Sequence, residues 1–531
     1  MQITDSAILR LTVLVPLVAG TVVFIMNSYE KAWSGWKRRL AGATALAGFI
    51  LPALGALKLA AVFSEETLGA HGYAFLDTVD LGLGSIGVYW QVGLNGIALP
   101  LYLMAAIVGF AAGLYALQSK ADRATVYWAL LLWMHGGLMG VFSSVDLIGF
   151  YFFHELALIP TFVMIGLWGG RAHRTIAMEL TLYLTVGALL VLAGLLMLSM
   201  GRPTDAIELQ SGASFDLIHL KAYLAEHPLS EGRQHLVFGL LLFGFGILVS
   251  LFPFHSWAPR GYSVAPTGAA MLHAGVLKKF GLYGLIQIAA PLLPLGAERW
   301  APVLAWLALG NVLLIGWVTI AQRSLKQMIG YSSVMHMGLA FLGVASLSVL
   351  GWSGAVMLMF AHGLSVALLL MLSTCIKQRC GTDDMAAVGG LGPKAPVLAA
   401  FFVAAVMASI GLPGFANFWG ELAVFVSLWE YQRWLLLPAV AGLVISAVYG
   451  LRAIGGLFFG RPTEGFKSYS ESQKGGIGDL IWTEKLPALI LLIPLLVVGI
   501  WPNKAASWVH HALAEPEVMV TVAAPSADAE R

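Results

Sequence analysis

Four ionisable residues interrupt long apolar stretches of this sequence. Glu155 sits in Phe150-Tyr-Phe-Phe-His-Glu-Leu-Ala-Leu-Ile-Pro160, and Lys278 and Lys279 sit in Met271-Leu-His-Ala-Gly-Val-Leu-Lys-Lys-Phe280. Glu421 sits in Ala416-Asn-Phe-Trp-Gly-Glu-Leu422. A charge at the centre of a bilayer costs about 2.5–3.5 kcal/mol on insertion scales, so each needs a reason to be there. Burial draws acids and amines in general towards the pH range in which protons exchange, and such groups cluster at functional sites. Two readings fit: structural pairs that hold helices together, or groups that pass protons. Neighbouring helical residues point about 100° apart, so only one of Lys278 and Lys279 faces a given axis well. Six histidines, His135, His154, His255, His273, His336 and His362, also lie in or beside apolar runs. Imidazole donates and accepts near neutral pH, which suits a proton relay. Singly, each also fits a satisfied core residue. No pair has metal-ligand spacing, and no metal is expected.

The elements that position these groups follow from composition. Of the 531 residues, 59% are hydrophobic and 11% charged, and mean hydropathy is +0.83. A soluble domain carries about a quarter charged residues, so the solvent here is lipid. Lipid satisfies no backbone hydrogen bond, which leaves helices or a closed barrel. Apolar runs of about twenty residues select helices. The net charge of +2 gives no reason to expect nucleic acid. Two cysteines, Cys375 and Cys380, cannot hold an iron–sulfur cluster or build a disulfide framework. The segment 8–26 reads as a full first span rather than a removable leader.

The hydropathy pattern predicts an all-α polytopic membrane protein with about fourteen transmembrane helices. Lys31, Lys37, Arg38 and Arg39 put the first loop in the cytoplasm, and Lys120, Arg123, Arg171 and Arg174 recur on that side. The next loop, with Glu65, Glu66, Asp77 and Asp80, lies outside, so the N-terminus faces the periplasm. Two spans are interrupted, at Leu251-Phe-Pro-Phe-His-Ser-Trp-Ala-Pro259 and at Ser409-Ile-Gly-Leu-Pro-Gly414. Proline removes a backbone donor and opens a helix, and two broken helices in two halves suggest inverted repeats around an ion path. The expected organisation is 1–120 as N-terminal helices, 121–325 as a first repeat with an outer loop at 201–235 that caps it, and 326–430 as a second repeat. Residues 431–510 form C-terminal helices and 511–531 a tail, disordered from about Glu515. Gly82-Leu-Gly-Ser-Ile-Gly87 matches the dinucleotide-binding pattern by letter, but that pattern needs a strand before it and a helix after it in a soluble unit.

At its charged positions the sequence resembles the antiporter-type membrane subunits of respiratory complex I, the proton-pumping NADH:quinone oxidoreductase, and among them chain M. The matching segments are Asp146-Leu-Ile-Gly-Phe-Tyr-Phe-Phe-His-Glu155 with Leu158-Ile-Pro160, then Pro253-Phe-His-Ser-Trp-Ala-Pro259 with Ala265-Pro-Thr267. Ala274-Gly-Val-Leu-Lys-Lys279 follows with Gly281-Leu-Tyr-Gly284, then Leu325-Lys-Gln-Met-Ile-Gly-Tyr-Ser-Ser-Val-Met-His-Met-Gly338. Ala361-His-Gly-Leu364 and Gly411-Leu-Pro-Gly414 with Gly420-Glu421 complete the order, from about residue 90 to 500. Glutamate at 421 resembles chain M, where its paralogues usually carry lysine.

The resemblance implies two inverted five-helix repeats and one proton path joined by a central polar line. Glu155 would be the regulatory carboxylate of the first half-channel, Lys279 the connecting lysine and Glu421 the exit-side acid. His336 and Lys326 would lie beside that axis, with Lys326 equally readable as a loop-side anchor. The possible relay comprises His154, His255, His273, Lys278, Lys326, His336 and His362. Such a chain binds no cofactor itself. Its partners would be the other membrane subunits, the lipid bilayer and, indirectly, a peripheral redox arm, in a bacterial inner membrane.

Three positions depart from the family pattern. Leu248 stands where a lysine is usual, seven residues before His255, and His154, Arg260 and Lys278 are the groups that could replace it. Asn95 and Ser324 stand where aspartate is common. The expected function is proton translocation driven by electron transfer elsewhere in the complex. The alternatives are a non-pumping structural paralogue, or a subunit of a multi-component cation/proton antiporter or membrane-bound hydrogenase.

Overall fold

The computed structural model describes residues 4–27, 35–69, 71–84, 87–119, 121–170, 172–200, 215–473 and 476–514. Helices α1 (Asp5–Asn27) and α2 (Gly35–Val62) lead to a hairpin of β1 (Ala74–Val79) and β2 (Trp90–Leu94). The hairpin lies in the expected outer loop of an otherwise helical chain. It is antiparallel, pairing Ala74 with Leu94 and Val79 with Trp90, with an irregularity between Ala74 and Asp77. Gly82, Gly84 and Gly87 of the glycine pattern lie between the two strands rather than before a helix.

The first helical unit contains α3 (Ala98–Leu117), α4 (Ala124–Ser143), α5 (Leu147–Trp168), α6 (His173–Ser199), α7 (Leu217–Glu226), α8 (Glu231–Val249) and α9 (Trp257–Val264). A segmented run follows: α10 (Thr267–Gly275), a 3-10 turn at Leu277–Lys279, α11 (Phe280–Gly284), a π turn at Leu285–Ala289 and α12 (Ala290–Leu292). Next comes α13 (Pro294–Leu309), which a π segment (Gly310–Ile315) joins to α14 (Gly316–Ala321). The second unit holds α15 (Leu325–Ala345), α16 (Val349–Cys380), α17 (Pro396–Ser409) and α18 (Ala416–Tyr431). Then come α19 (Leu436–Ile454), α20 (Glu464–Ser472), α21 (Trp482–Ile500) and α22 (Asn503–Ala514).

Twelve helices are long and apolar enough to cross a membrane. The segmented run Thr267–Leu292 and the broken pair α17/α18 bring the crossings among the described residues to fourteen. Helix α22 occupies residues 511–514, so the expected tail begins no earlier than 515, and it lies outside the described residues. Residues 201–214 of the expected cap, and Lys31, Lys120 and Arg171, lie outside them too. The described remainder of the cap is α7.

The core is the pair α15 and α16. The membrane-length windows of these helices are 94% and 100% buried within the chain, where those of α1, α6 and α19 are 39% buried. A helix apolar on every side is buried by other helices or by lipid, and these two take the protein environment. Helix α16 passes α10 at two facing glycines. A side-chain carbon at Gly363 would stand 2.6 Å from the Gly275 carbonyl oxygen, and one at Gly275 would stand 2.9 Å from that of Gly363. Small residues permit such close backbone contact in membranes, and this contact brings the two lysines towards the helix that carries His362.

An internal symmetry is visible in the backbone. Leu147 donates to the Phe215 carbonyl and Leu217 to that of Val145, just where Asp146 caps α5. Leu325 donates to the Asp383 carbonyl and Met385 to that of Arg323, where Ser324 caps α15. Counted by crossings, the two bridges close opposite faces of the membrane, and each unit then contains one broken helix.

Candidate functional site

Both helix breaks are built from sequence features that strip a helix of its hydrogen bonds. At the first, Ser250 takes a left-handed conformation (φ 71°) and ends α8. The freed groups are satisfied by Asn311 of the π segment. Its amide donates to the carbonyls of Ser250 (3.1 Å) and Val334 (3.0 Å), and its oxygen accepts from the Phe252 N–H. The Trp257 indole closes the Ile247 carbonyl at 3.0 Å. Irregular backbone at membrane depth is tolerated only with such partners. At the second break, Gly411 (φ 73°) and Gly414 (φ 99°) turn the chain, and the Trp419 indole ties it to Gly499 of α21 at 2.8 Å.

Glu421 follows the second break on α18, 2% exposed. Its carboxylate lies against Gly411, and Oε1 has no hydrogen-bond partner among the described residues. Lys278 and Lys279 are also buried, 1% and 0% exposed, in the 3-10 turn between α10 and α11. Lys279 Nζ donates to the Ala274 carbonyl at 2.6 Å and Lys278 Nζ to Ser333 Oγ at 3.4 Å. Lys278 therefore faces the core as well, contrary to the expectation that only one lysine would. The 3-10 geometry changes the angle between neighbouring side chains from the 100° of an α-helix.

A chain of polar contacts runs between these groups. Ser333 Oγ lies 3.0 Å from His362 Nε2 on α16. The His362 ring stacks on His336 with centroids 5.2 Å apart. His336 Nδ1 donates to the Ser332 carbonyl at 2.8 Å, and Ser332 Oγ meets the Tyr449 hydroxyl at 2.7 Å. Tyr449 is within electrostatic reach of Glu421, and His336 lies against the Ser409 backbone at the end of α17. On the other side of the lysines, His273 interacts electrostatically with Lys278, Lys279 and His154. His154, 2% exposed, stacks on Phe280 at 3.9 Å, and its Nδ1 lies 3.3 Å from Glu155 Oε1. Glu155 is the half-buried end of this line, its side chain 29% exposed on the outer surface of the chain.

Direct contacts thus join Lys278, Ser333, His362, His336, Ser332 and Tyr449 in one run and His154 with Glu155 in a pair, while His273, Lys279 and Glu421 are related to them electrostatically. Three anticipated groups stand apart. His135 is buried against Phe49 and Gly109 and has no hydrogen-bond partner among the described residues. His255, at the first break, stacks on Phe252 at 5.9 Å and reaches the line only electrostatically, through Lys278. Lys326 sits in the first turn of α15, near Lys377 and Asp383, which is the loop-side position. Ser332, Ser333, Tyr449 and Asn311 were not singled out in the sequence, although the two serines lie four and three residues before His336, on the same helical face. The positions that lack aspartate hold neutral hydrogen-bonding groups. Asn95 accepts from the Ala98 N–H and donates to Gln287, and Ser324 donates to Asp383 at 2.9 Å. Leu248 is buried, 4% exposed.

A cleft opens at the end of the bundle where α10 begins and α16 ends. Tyr115, Ser119, Tyr127, Thr267, Thr374 and Glu484 line it. At its floor Thr267 and Thr374 share a 2.9 Å hydrogen bond. These are the two helices that carry the lysine turn's approach and His362.

Fourteen crossings, two broken helices and a buried line of acids, lysines and histidines define an ion-conducting membrane subunit of the antiporter type. The chain belongs to the family described as NADH:quinone oxidoreductase/Mrp antiporter, transmembrane, whose profile matches residues 144–446. It is 34% identical over 389 residues to NAD(P)H-quinone oxidoreductase chain 4 3 of Picosynechococcus, covering 72% of this chain and 68% of the relative. It is 30% identical over 506 residues to chain 4 of Gloeobacter violaceus, covering 93% and 90%. Its structure superposes on a chain of respiratory complex I from Thermus thermophilus with a TM-score of 0.81 at 30% identity, covering 95% of this chain and 98% of that one.

Proposed function

We propose that this chain is a proton-translocating membrane subunit of an NADH:quinone oxidoreductase-type complex. Electrons run in other subunits, and this chain carries protons. The observation that supports this most is the run from Lys278 through Ser333 and His362 to His336, set between the Glu155–His154 pair and the buried Glu421 beyond the second break. Each step has simple proton chemistry. Lys278 gives a proton to Ser333 Oγ while that hydroxyl passes its own to His362 Nε2. The Nδ1–H of His336 is held by the Ser332 carbonyl, so Nε2 is the atom left to accept a proton. The unpartnered Glu421 Oε1 then serves as the next acceptor. The threonine-floored cleft faces the cytoplasm in this reading and supplies protons to α10 and α16, while the N-terminus faces the periplasm of a bacterial inner membrane. Charge movement triggered by quinone reduction alters the state of Glu155, at the surface where a neighbouring membrane subunit sits.

Glu155→Gln in the complex reconstituted into vesicles tests this. Quinone reduction continues and the proton-to-electron ratio falls; an unchanged ratio overturns the role.

The burial of Leu248 at the usual lysine position supports a second reading, a structural paralogue that no longer pumps. Wild-type complex with full stoichiometry eliminates it. A gain of pumping on Leu248→Lys favours it.

A further inference from the structure

The one hydrogen bond and ion pair that Glu155 makes among the described residues is to the histidine beside it. Among the described residues, Arg260, Lys278 and Lys279 are committed elsewhere. Arg260 is bound to both carboxylate oxygens of Glu179, at 3.2 and 3.0 Å. Lys278 donates to Ser333 and Lys279 to the Ala274 carbonyl. The space between α5, α8 and α11 is taken by rings. Phe280 stacks on Phe150 at 4.4 Å, on its other neighbour His154 at 3.9 Å, and meets Phe245 of α8 edge-on at 5.5 Å. This aromatic packing leaves α8, with Leu248 one turn beyond Phe245, no charged group to offer Glu155.

We infer that His154 is the counter-charge of Glu155 and gates it, so that the carboxylate has an ionic partner only while this imidazole is protonated. The inference rests on the reading of Glu155 as a residue whose charge controls transport. It adds which group controls Glu155 and by what chemistry. The geometry needs no rearrangement. A neutral imidazole with its hydrogen on Nδ1 already donates to Oε1; a proton taken at Nε2 turns that hydrogen bond into an ion pair with no heavy atom moved. A proton lost from Nε2 reverses it. The stack on Phe280, the residue next to Lys279, fixes the ring plane.

The titratable groups that bear on His154 can be named helix by helix. On α5 it is Glu155; on α10 it is His273. The lysine turn contributes Lys278 and Lys279, which act on His273 in turn. On α6 the carboxylate of Glu179 is taken by Arg260, and on α4 His135 packs away, towards Phe49.

The test is proton translocation per quinone reduced, in vesicles of the whole complex. His154→Phe keeps a ring for the stack and pumps no better than Glu155→Gln, while His154→Lys, which can again bring a proton to the carboxylate, pumps better than His154→Phe. A phenylalanine variant that pumps normally, or a lysine variant that pumps no better than it, overturns the inference. Quinone reduction at wild-type rates confirms assembly of each variant. Infrared difference spectra cover a variant that does not assemble. The Glu155 carboxylate band of wild type, identified by its loss in Glu155→Gln, shifts when the buffer pH is changed, and a band that stays fixed overturns the gate. If Glu155→Gln itself pumps normally, the role of Glu155 has failed. If it does not pump while the His154 variants match wild type, only the gate has failed.

Discussion

The carboxylate of Glu421 occupies the place a side chain at Gly411 would take. A carbon built there would collide with Oε2. Gly411 and Gly414 share a left-handed backbone, φ 73° and 99°, but a carbon at Gly414 meets nothing within 4 Å. The pair therefore separates strain from displacement. Either glycine changed to alanine carries the backbone penalty of about 1–2 kcal/mol, and both variants melt earlier in detergent. Only Gly411→Ala also moves Glu421, so it alone loses proton translocation while Gly414→Ala keeps it.

The Ser333 hydroxyl lies between a lysine and a histidine, 3.4 Å from Lys278 Nζ and 3.0 Å from His362 Nε2. Ser333→Ala removes both contacts and leaves the fold intact, since the residue is small and buried. A hydrogen bond to a charged group is worth about 1.5–3 kcal/mol, so the translocation rate drops by about tenfold or more. Ser333→Thr restores it. A pH-jump dye assay on reconstituted vesicles reads the rate directly, and an alanine variant as fast as wild type removes this serine from the path.

The charged residues of the line were legible in the sequence because each is costly in lipid and stands out against apolar neighbours. Glu155, the two lysines and Glu421 needed no structure to be noticed. Ser333, Tyr449 and Asn311 did, because a serine, tyrosine or asparagine in a span is inexpensive and common, and only the packing of α15 on α16 and α19 gives them partners. His135 and His336 look alike as residues in apolar runs; one packs on Phe49 and the other on His362, a difference set by helix rotation that no local pattern carries. The fold itself read well wherever the spans were long. The β1–β2 hairpin escaped because its strands are five and six residues long and merge with a polar loop on one side and with α3 on the other.

Asn311 completes the first break as Gly411 does the second. It meets the Ser250 and Val334 carbonyls and the Phe252 N–H from one side chain. Leucine at this position keeps the volume and loses all three bonds. An unsatisfied buried polar group costs about 1–3 kcal/mol, so Asn311→Leu lowers the melting temperature in detergent by more than either glycine variant. An unchanged melt would mean that the break is held by its prolines and Trp257 alone.

Asp146 makes the stability of the first unit depend on pH. It caps α5 just outside the span, 3% exposed, accepting from the N–H groups of Gly149 and Gln91. Burial pushes its carboxyl up from the ordinary 3.8 to about 7, against the pull of those two donors and with a further push from Asp216. A carboxyl raised in the folded state is easiest to keep there protonated. Its contribution is therefore complete below about pH 4 and is lost as pH rises through about 7. Asparagine keeps the capping oxygen and carries no charge. Melting temperatures of wild type and Asp146→Asn, taken across that range, should converge in acid and separate towards neutrality, with the variant the more stable. Parallel curves would mean that the Asp146 carboxyl titrates in the folded chain as it does unfolded.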